Sequence, residues 1–247
     1  MSAHGSGRVT AGSVGTAVFS LSARSATGAD AAYIEWHALD HLPEQFRIGG
    51  LRWGQRWVST PRCRDARAAS EGRWDAIDHV VNYLFAEPAD AALGEFFDLG
   101  HRLRQLGRIP DRLPRVHLGC FDVVGAVAAP RVVVDPAVVP MRPNRGVYLL
   151  VEAVGPSTGA AAVDPRPFLE ADGVAGVWWF RSTPGHHPGF DDAGDLLVTV
   201  CYLDDDPVVV AGRLAPALES RRARGLRPLL AAPLEALVAW DWARQVP

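Results

Sequence analysis

The order in which strand-like and helix-like runs succeed one another constrains this chain more than any single residue does. Val14–Ser22 is a short run of small and β-branched residues, the pattern of a strand. From Ala31 to about Phe46 the spacing turns helical: Tyr33, Trp36, His37, Asp40, His41 and Glu44 recur three and four apart. Asp30 stands in front of that run, where a carboxylate can cap a helix. Pro43 disfavours helical backbone at Leu42, so a kink or an end is expected there. Gly49-Gly50 supplies a turn. Leu51–Ser59 then alternates Leu51, Trp53, Gln55 and Trp57 against Arg52, Gly54, Arg56 and Val58, the two faces of a second strand. A polar, Arg-rich loop over 61–73 leads to a third strand, Asp75–Phe85. Pro88 and Asp90 open a second helix with Leu93, Phe96, Phe97, Leu99, Leu103 and Leu106 along one side, ending near Gly107. Val116–Val134 closes the set.

That order is β-α-β-β-α-β, a ferredoxin-like unit over 13–134. Residues 130–145 are rich in Pro and Val and read as a linker. The order then recurs over 146–245. Gly146–Ala153 is a strand, Asp164–Gly173 holds a short helix, and Val174–Ser182 is a strand. After a loop through 195 come a strand (Asp195–Leu203), a helix (Pro207–Arg224) and a last strand (Leu234–Trp242). The repeat is one of architecture, not of identity. The fold class expected is therefore α+β, two tandem ferredoxin-like units. Each such sheet carries helices on one face and leaves the other to be covered. The second strand of each half bears tryptophan, and a bare patch of that kind would be an interaction surface. The two sheets should then pack together or close into one intramolecular α/β barrel, making the chain a monomeric pseudo-dimer or a homodimer.

Composition removes several classes of function. The net charge of −3 gives no basic footprint for nucleic acid. All 25 cationic side chains are arginine, which excludes Schiff-base and P-loop lysine chemistry. No apolar run reaches the roughly 18 to 20 residues of a membrane helix, and the N-terminus has no apolar leader core. Cys63, Cys120 and Cys201 are far apart and suggest neither a disulfide framework nor a zinc cluster. A reduced, cytoplasmic location, no membrane partner, no metal and no cofactor are expected.

Trp36-His37-x-x-x-His41-Leu42-Pro43-Glu44, followed by Gly50-Leu51 and Arg56-Trp57, resembles the helix-one signature of the dimeric α/β-barrel superfamily, more narrowly its EthD-like and stress-responsive (Dabb) branches. The resemblance covers residues 33–57. The second half matches only in element order and in Leu203-Asp204-Asp205-Asp206-Pro207. It implies a small-molecule enzyme working by acid-base chemistry, of cyclase, dehydratase, isomerase or decarboxylase type, on a hydrophobic, aromatic or polyketide-like molecule. A cofactor-independent or haem-dependent monooxygenase, and a non-catalytic ligand-binding or stress-related module, are the alternatives it leaves. It also implies that His41 is the acid/base. The second half has no helix-one histidine, so the site should be single and lie in the first half.

The residues themselves support several readings. Tyr33, His37 and His41 fall in one helical column, with Asp40, Glu44 and Trp36 in the next. Histidine titrates near neutral pH, and an adjacent carboxylate (Asp40 or Glu44) could orient His41. The bland alternative is a histidine satisfied within the packing. The HxxxH spacing could present two imidazoles to zinc, but Ala38 stands where a metalloprotease has its glutamate and no third ligand is evident. His79 and Tyr83 share one face of the third strand. If that face lines the barrel beside Trp53 and Trp57, the pair suits enolate or phenolate protonation; if it meets the helices, His79 is a core residue. Arg52 and Arg56 share a face of strand two, where they could bind a carboxylate or phenolate or pair with surface acids. His186-His187 reads as a loop tip.

Overall fold

The computed structural model describes residues 13–111, 113–155, 164–183, 187–192 and 194–247. The first half supplies β1 (Val14–Ser22), β2 (Leu51–Val58), the two-residue β3 (Ala69–Ser70), β4 (His79–Ala86) and β5 (Arg115–Ala128). The second half supplies β6 (Gly146–Ala153), β7 (Val174–Ser182), β8 (Leu196–Leu203) and β9 (Arg227–Ala236). All pairings are antiparallel, in the order β2-β4-β1-β5-β7-β8-β6-β9, and β9 returns to β2 to close an eight-stranded barrel. β3 adds to β9. The halves meet at a long seam, Phe121–Ala128 against Gly176–Ser182, and at a short one, Trp57 and Val58 against Ala236 and Glu235. Each half thus pairs its main strands in the same spatial order: second, third, first, fourth.

Closure disposes of the bare sheet faces. Side chains alternate along a strand, so every second residue points inward. Phe19, Trp57, Phe121, Trp178, Phe180 and Tyr202 fill the interior together with Val and Leu. Phe19 meets Phe121 and Phe180 edge-on, at 5.3 and 5.1 Å between centroids. The other strand faces lie under helices: α1 (Asp30–Trp36), α2 (Leu42–Gln45) and α4 (Asp90–Gln105) in the first half, and α5 (Arg166–Leu169), α6 (Pro207–Arg213) and α7 (Ala215–Ala223) in the second, with α3 (Pro61–Asp65) between β2 and β3.

Several elements differ from the sequence expectation. Residues 136–141, inside the expected linker, form a 3₁₀ turn that buries Val139 and Pro140. The carbonyl of Pro136 accepts from Trp178 Nε1 (2.9 Å), and Asn144 Oδ1 accepts from Trp57 Nε1 (3.1 Å). The stretch caps the barrel because two buried indoles need acceptors there. The third strand starts at His79, since Gly72–Ala76 is a 3₁₀ turn that buries Trp74. Pro216 sits in the first turn of α7 and divides the expected single helix into α6 and α7. The last strand is Arg227–Ala236, not Leu234–Trp242. Pro228 and Pro233 disguise it. The carbonyls of Leu229 and Ala231 accept from Glu71 N and Ala68 N, so with a period of two Pro233 turns its nitrogen to that same side. It falls in the gap between β3 and β2, where no ladder donor is needed.

Candidate functional site

The helix that opens the first half does not stop before Pro43. It passes from α1 into a π-helical turn, His37–His41, and on into α2. The Leu42 N–H reaches back to the carbonyl of His37, five residues away. Proline in a regular helix lacks a donor and clashes with the carbonyl four residues earlier. A widened turn immediately before it lets the chain continue, and such turns recur at functional sites.

This helical segment lies on the outer face of β4 and β2. Gly54 makes the approach possible: a Cβ there would stand 2.8 Å from Leu42 Cδ1 and 3.0 Å from Tyr83 Cδ1. His37, fully buried, has Nε2 at 3.0 Å from the Tyr83 hydroxyl. His41, half-buried, stacks on Trp36 (4.9 Å, 19°), and its ring lies 5.6 Å from that of His37. Its Nε2 is 3.1 Å from Gln45 Nε2. Arg56 reaches in from β2 and lies over the Tyr33 ring at 5.2 Å. His79 Nε2 meets Asp30 Oδ1 at 2.8 Å, and that carboxylate also accepts from Ser25 N at 2.8 Å.

Burial and neighbouring cations hold the imidazoles neutral. Desolvation, then Arg56, pulls His41 down to about 4, although Asp40 pulls the other way. Burial and then Arg56 also push His37 well below the ordinary histidine range, and burial lowers His79 against the opposing pull of Asp30. Burial pushes the Tyr83 phenol up, so it is a neutral donor. Desolvation likewise lowers Arg56 from the usual arginine value. Burial alone would raise Asp30, but its bonds to His79 and Ser25 outweigh it and hold the carboxyl low.

The cluster is full of polar atoms with no protein partner. Trp36 Nε1, His37 Nδ1, His41 Nδ1, Gln45 Oε1, Arg56 Nε and His79 Nδ1 are all buried and unbonded. Buried polar atoms are nearly always satisfied, and six unsatisfied ones in one cluster mark a place prepared for another molecule or for water.

The sequence-predicted residues divide. Tyr33, Trp36, His37, His41, Arg56, His79 and Tyr83 come together on the helix side of the sheet. Trp57 does not join them: it points into the barrel against Tyr202, at 6.3 Å. Trp53 packs on the barrel core and near Phe46, at 6.3 Å. The barrel-lining arrangement of His79 and Tyr83 with Trp53 and Trp57 is therefore overturned, because the register places Tyr83 beside Gly54 and Val80 beside Trp57. Arg52 is exposed, since a register shift between Leu51 and Trp53 turns it away from the face of Arg56. Asp40 and Glu44 do not grip His41. Both accept from Arg108, at 2.9 and 3.1 Å. Gln45 orients His41 instead; sequence reasoning passed over it, although it stands four residues on, one helical turn away. Asp30, read as a helix cap, turns its carboxylate to His79 and makes no cap bond. His186 lies outside the described residues, and His187 stacks on Phe97 at 4.1 Å. Among the described residues no three His, Cys, Asp or Glu side chains are grouped to hold a metal ion. No helix among them is long and apolar enough to cross a membrane.

No protein-family model matches this sequence, and no curated protein matches it. Solved structures do. An anthrone oxidase-like protein superposes with a TM-score of 0.52 at 10% identity, over 91% of this chain and 92% of the other. A protein of Fusobacterium nucleatum proposed to be a monooxygenase gives 0.51 at 11% identity, over 92% and 94%. A dye-decolorizing peroxidase from Bacteroides thetaiotaomicron gives 0.52 at 8% identity, over 94% of both. The likeness is one of fold. It runs nearly the full length of each chain.

A haem is the group such a fold brings into question, and the described residues do not fit one. The barrel is filled. A hollow of about 390 Å³ between α2 and α4 is lined by Glu44, Arg47, Glu95, Arg102 and Arg108 among others, with no imidazole. Another, of about 310 Å³ beside His117 and His187, is at the lower limit for even a drug-sized ligand.

Proposed function

We propose that this chain is an enzyme that moves a proton on a hydrophobic, aromatic or polyketide-like small molecule bound at the π-helical turn. The observation that carries the reading is the set of unbonded polar atoms around two neutral imidazoles. His41 is the acid/base. Its Nε2 faces the Gln45 amide, which can donate from nitrogen or, turned over, accept through oxygen. Either ring tautomer is therefore available, and Nδ1 is left for the substrate. His37 and Tyr83 form a second couple that can take up or return the proton, and Trp36 and Tyr33 supply aromatic walls. Each half is read as a ferredoxin-like unit, 13–134 and 146–245, and residues 33–57 resemble the Dabb and EthD-like branches. One chain then makes its own pseudo-dimer with one site. In the second half the corresponding layer is occupied by the Arg221–Glu152 ion pair instead of histidines.

Proton removal serves two reaction types. Cyclisation, dehydration, isomerisation and decarboxylation use it directly. In a cofactor-independent oxygenase the resulting carbanion meets dioxygen; one O₂ converts a methylene to a carbonyl and water with no external reductant. The fold likeness to oxidase-like and monooxygenase-type proteins supports this second reading. The test is deuterium exchange from D₂O into an enolisable aromatic ketone such as anthrone, followed by NMR, with oxygen uptake recorded in parallel. The protein should accelerate exchange over buffer, and His41→Gln should reduce the acceleration by about 10²-fold or more. Exchange at the buffer rate, or an unaffected variant, refutes the assignment. Oxygen uptake tied to exchange selects the oxygenase.

A further inference from the structure

Two arginines are buried in the helix layers, and they are treated differently. Arg221 spends its fork on Glu152, with Nε at 3.0 and 3.2 Å from the two carboxylate oxygens. Arg56 is 6% exposed, and no carboxylate pairs with it among the described residues. Its Nε bonds nothing, and Tyr33, whose ring it lies over, is a neutral hydrogen-bond partner that supplies no counter-charge. Three acids of the same helical segment are committed, Asp30 to His79 and Asp40 and Glu44 to Arg108, and the fourth, Glu35, is exposed. A buried guanidinium without a counter-charge is costly, and proteins rarely retain one without a use.

We propose that the molecule bound at this cluster is an aromatic oxyanion, a carboxylate or an ionised phenol or enol, and that Arg56 is its counter-ion. The proposal rests on the reading of the cluster as a substrate site. A planar guanidinium fork matches a carboxylate or a delocalised oxyanion. The half-buried rings of Tyr33, Trp36 and His41 stand beside it and suit an aromatic body. Neither of the two hollows is lined by Tyr33, Trp36, His41 or Arg56, so the anion must displace Tyr33 or Trp36 to enter. Binding has a chemical consequence. Arg56 is, after burial, the largest influence depressing both His37 and His41. The other charged groups that bear on His41 are Asp40 and Arg108; the other titratable groups that bear on His37 are the His41 and His79 imidazoles. An anion on Arg56 cancels the depressing charge, so the substrate strengthens the base that will act on it.

The test compares 2-naphthoate and 4-nitrophenolate with neutral 2-naphthamide by calorimetry at pH 8.5, on the wild-type chain, Arg56→Met and His41→Gln. Wild type should prefer at least one anion over the amide by tenfold or more; which of the two distinguishes a carboxylate from a phenolate site. Arg56→Met should lose the preference, while its thermal midpoint without ligand stays level or rises because an uncompensated charge has gone. His41→Gln should keep the preference for anion over amide, even where the lost ring weakens both. Equal affinity for anions and amide, no binding of either anion at millimolar concentration, or a preference that survives Arg56→Met overturns the proposal. These failures are separable from those of the proton-transfer reading. Amide binding with His41-dependent exchange would leave that reading standing without the anion, whereas an Arg56-dependent anion preference with exchange unaffected by His41→Gln would leave the anion site standing alone.

Discussion

Removing the Arg221 guanidinium should destabilise the chain severely, while removing both members of its ion pair should not. Arg221 and Glu152 are 2% and 1% exposed. Their fork is bidentate, Thr199 Oγ1 lies 3.4 Å from Nη2, and the guanidinium covers Phe168 at 5.4 Å. Arg221→Met keeps most of the apolar stem but strands the Glu152 carboxylate between α7 and β6, away from water. Breaking one side of such a pair costs about 3–5 kcal/mol. Against a total stability of about 5–15 kcal/mol, that is a large share. At about 2–4 °C per kcal/mol for a chain of this size, the melting point should fall by about 6–20 °C. The double variant Glu152→Met/Arg221→Met strands no charge and should lie within about 1 kcal/mol of wild type, or above it. Urea denaturation of wild type, both single variants and the double variant, with a common slope, gives the coupling directly. If Arg221→Met costs less than about 1 kcal/mol, or the double variant is as unstable as the single, the stranded-charge argument is wrong. The same substitution at Arg56, which has no carboxylate partner to strand among the described residues, should not destabilise.

Two further outcomes follow from the same physics. Burial, opposed by Asp191 but reinforced by Arg73 and Arg115, pulls His117 from 6.5 to about 4. The unfolded chain therefore binds its proton first, and stability should fall as pH drops from about 6.5 to about 4, by roughly 3 kcal/mol for this 2%-exposed ring; stability against pH for His117→Phe should lose that part of the slope, and an unchanged slope refutes it. Trp240 has φ of 69° and is 76% exposed, with Trp242 as its ring neighbour at 6.0 Å, so Trp240→Gly relieves a left-handed backbone; a gain of about 1 kcal/mol in urea is expected, and a loss of that size would mean that the contact with Trp242 outweighs the strain.

The element order and the closed α+β architecture were legible because they depend on local periodicity and on the need to cover each sheet's bare face. So was the helical column of Tyr33, His37 and His41. The edges of elements were less so wherever proline intervened. Pro43 was met by a π-helical turn, Pro233 by a gap in the ladder, and Pro216 by a division of the helix. In each case the answer lay in what the neighbouring chain could leave unbonded. Which face of β4 meets the helices could not be read locally, because Val80, Asn82 and Leu84 are as compatible with burial as His79, Val81 and Tyr83; only closure of the barrel assigned one set to the interior. The charges were legible in kind but not in partnership. Asp40 and Glu44 went to Arg108, far along the chain, Glu152 to Arg221, and Arg56 to no acid among the described residues. Periodicity sets which residues share a face; partnership is set by elements distant in sequence that the closed barrel and its helices bring together.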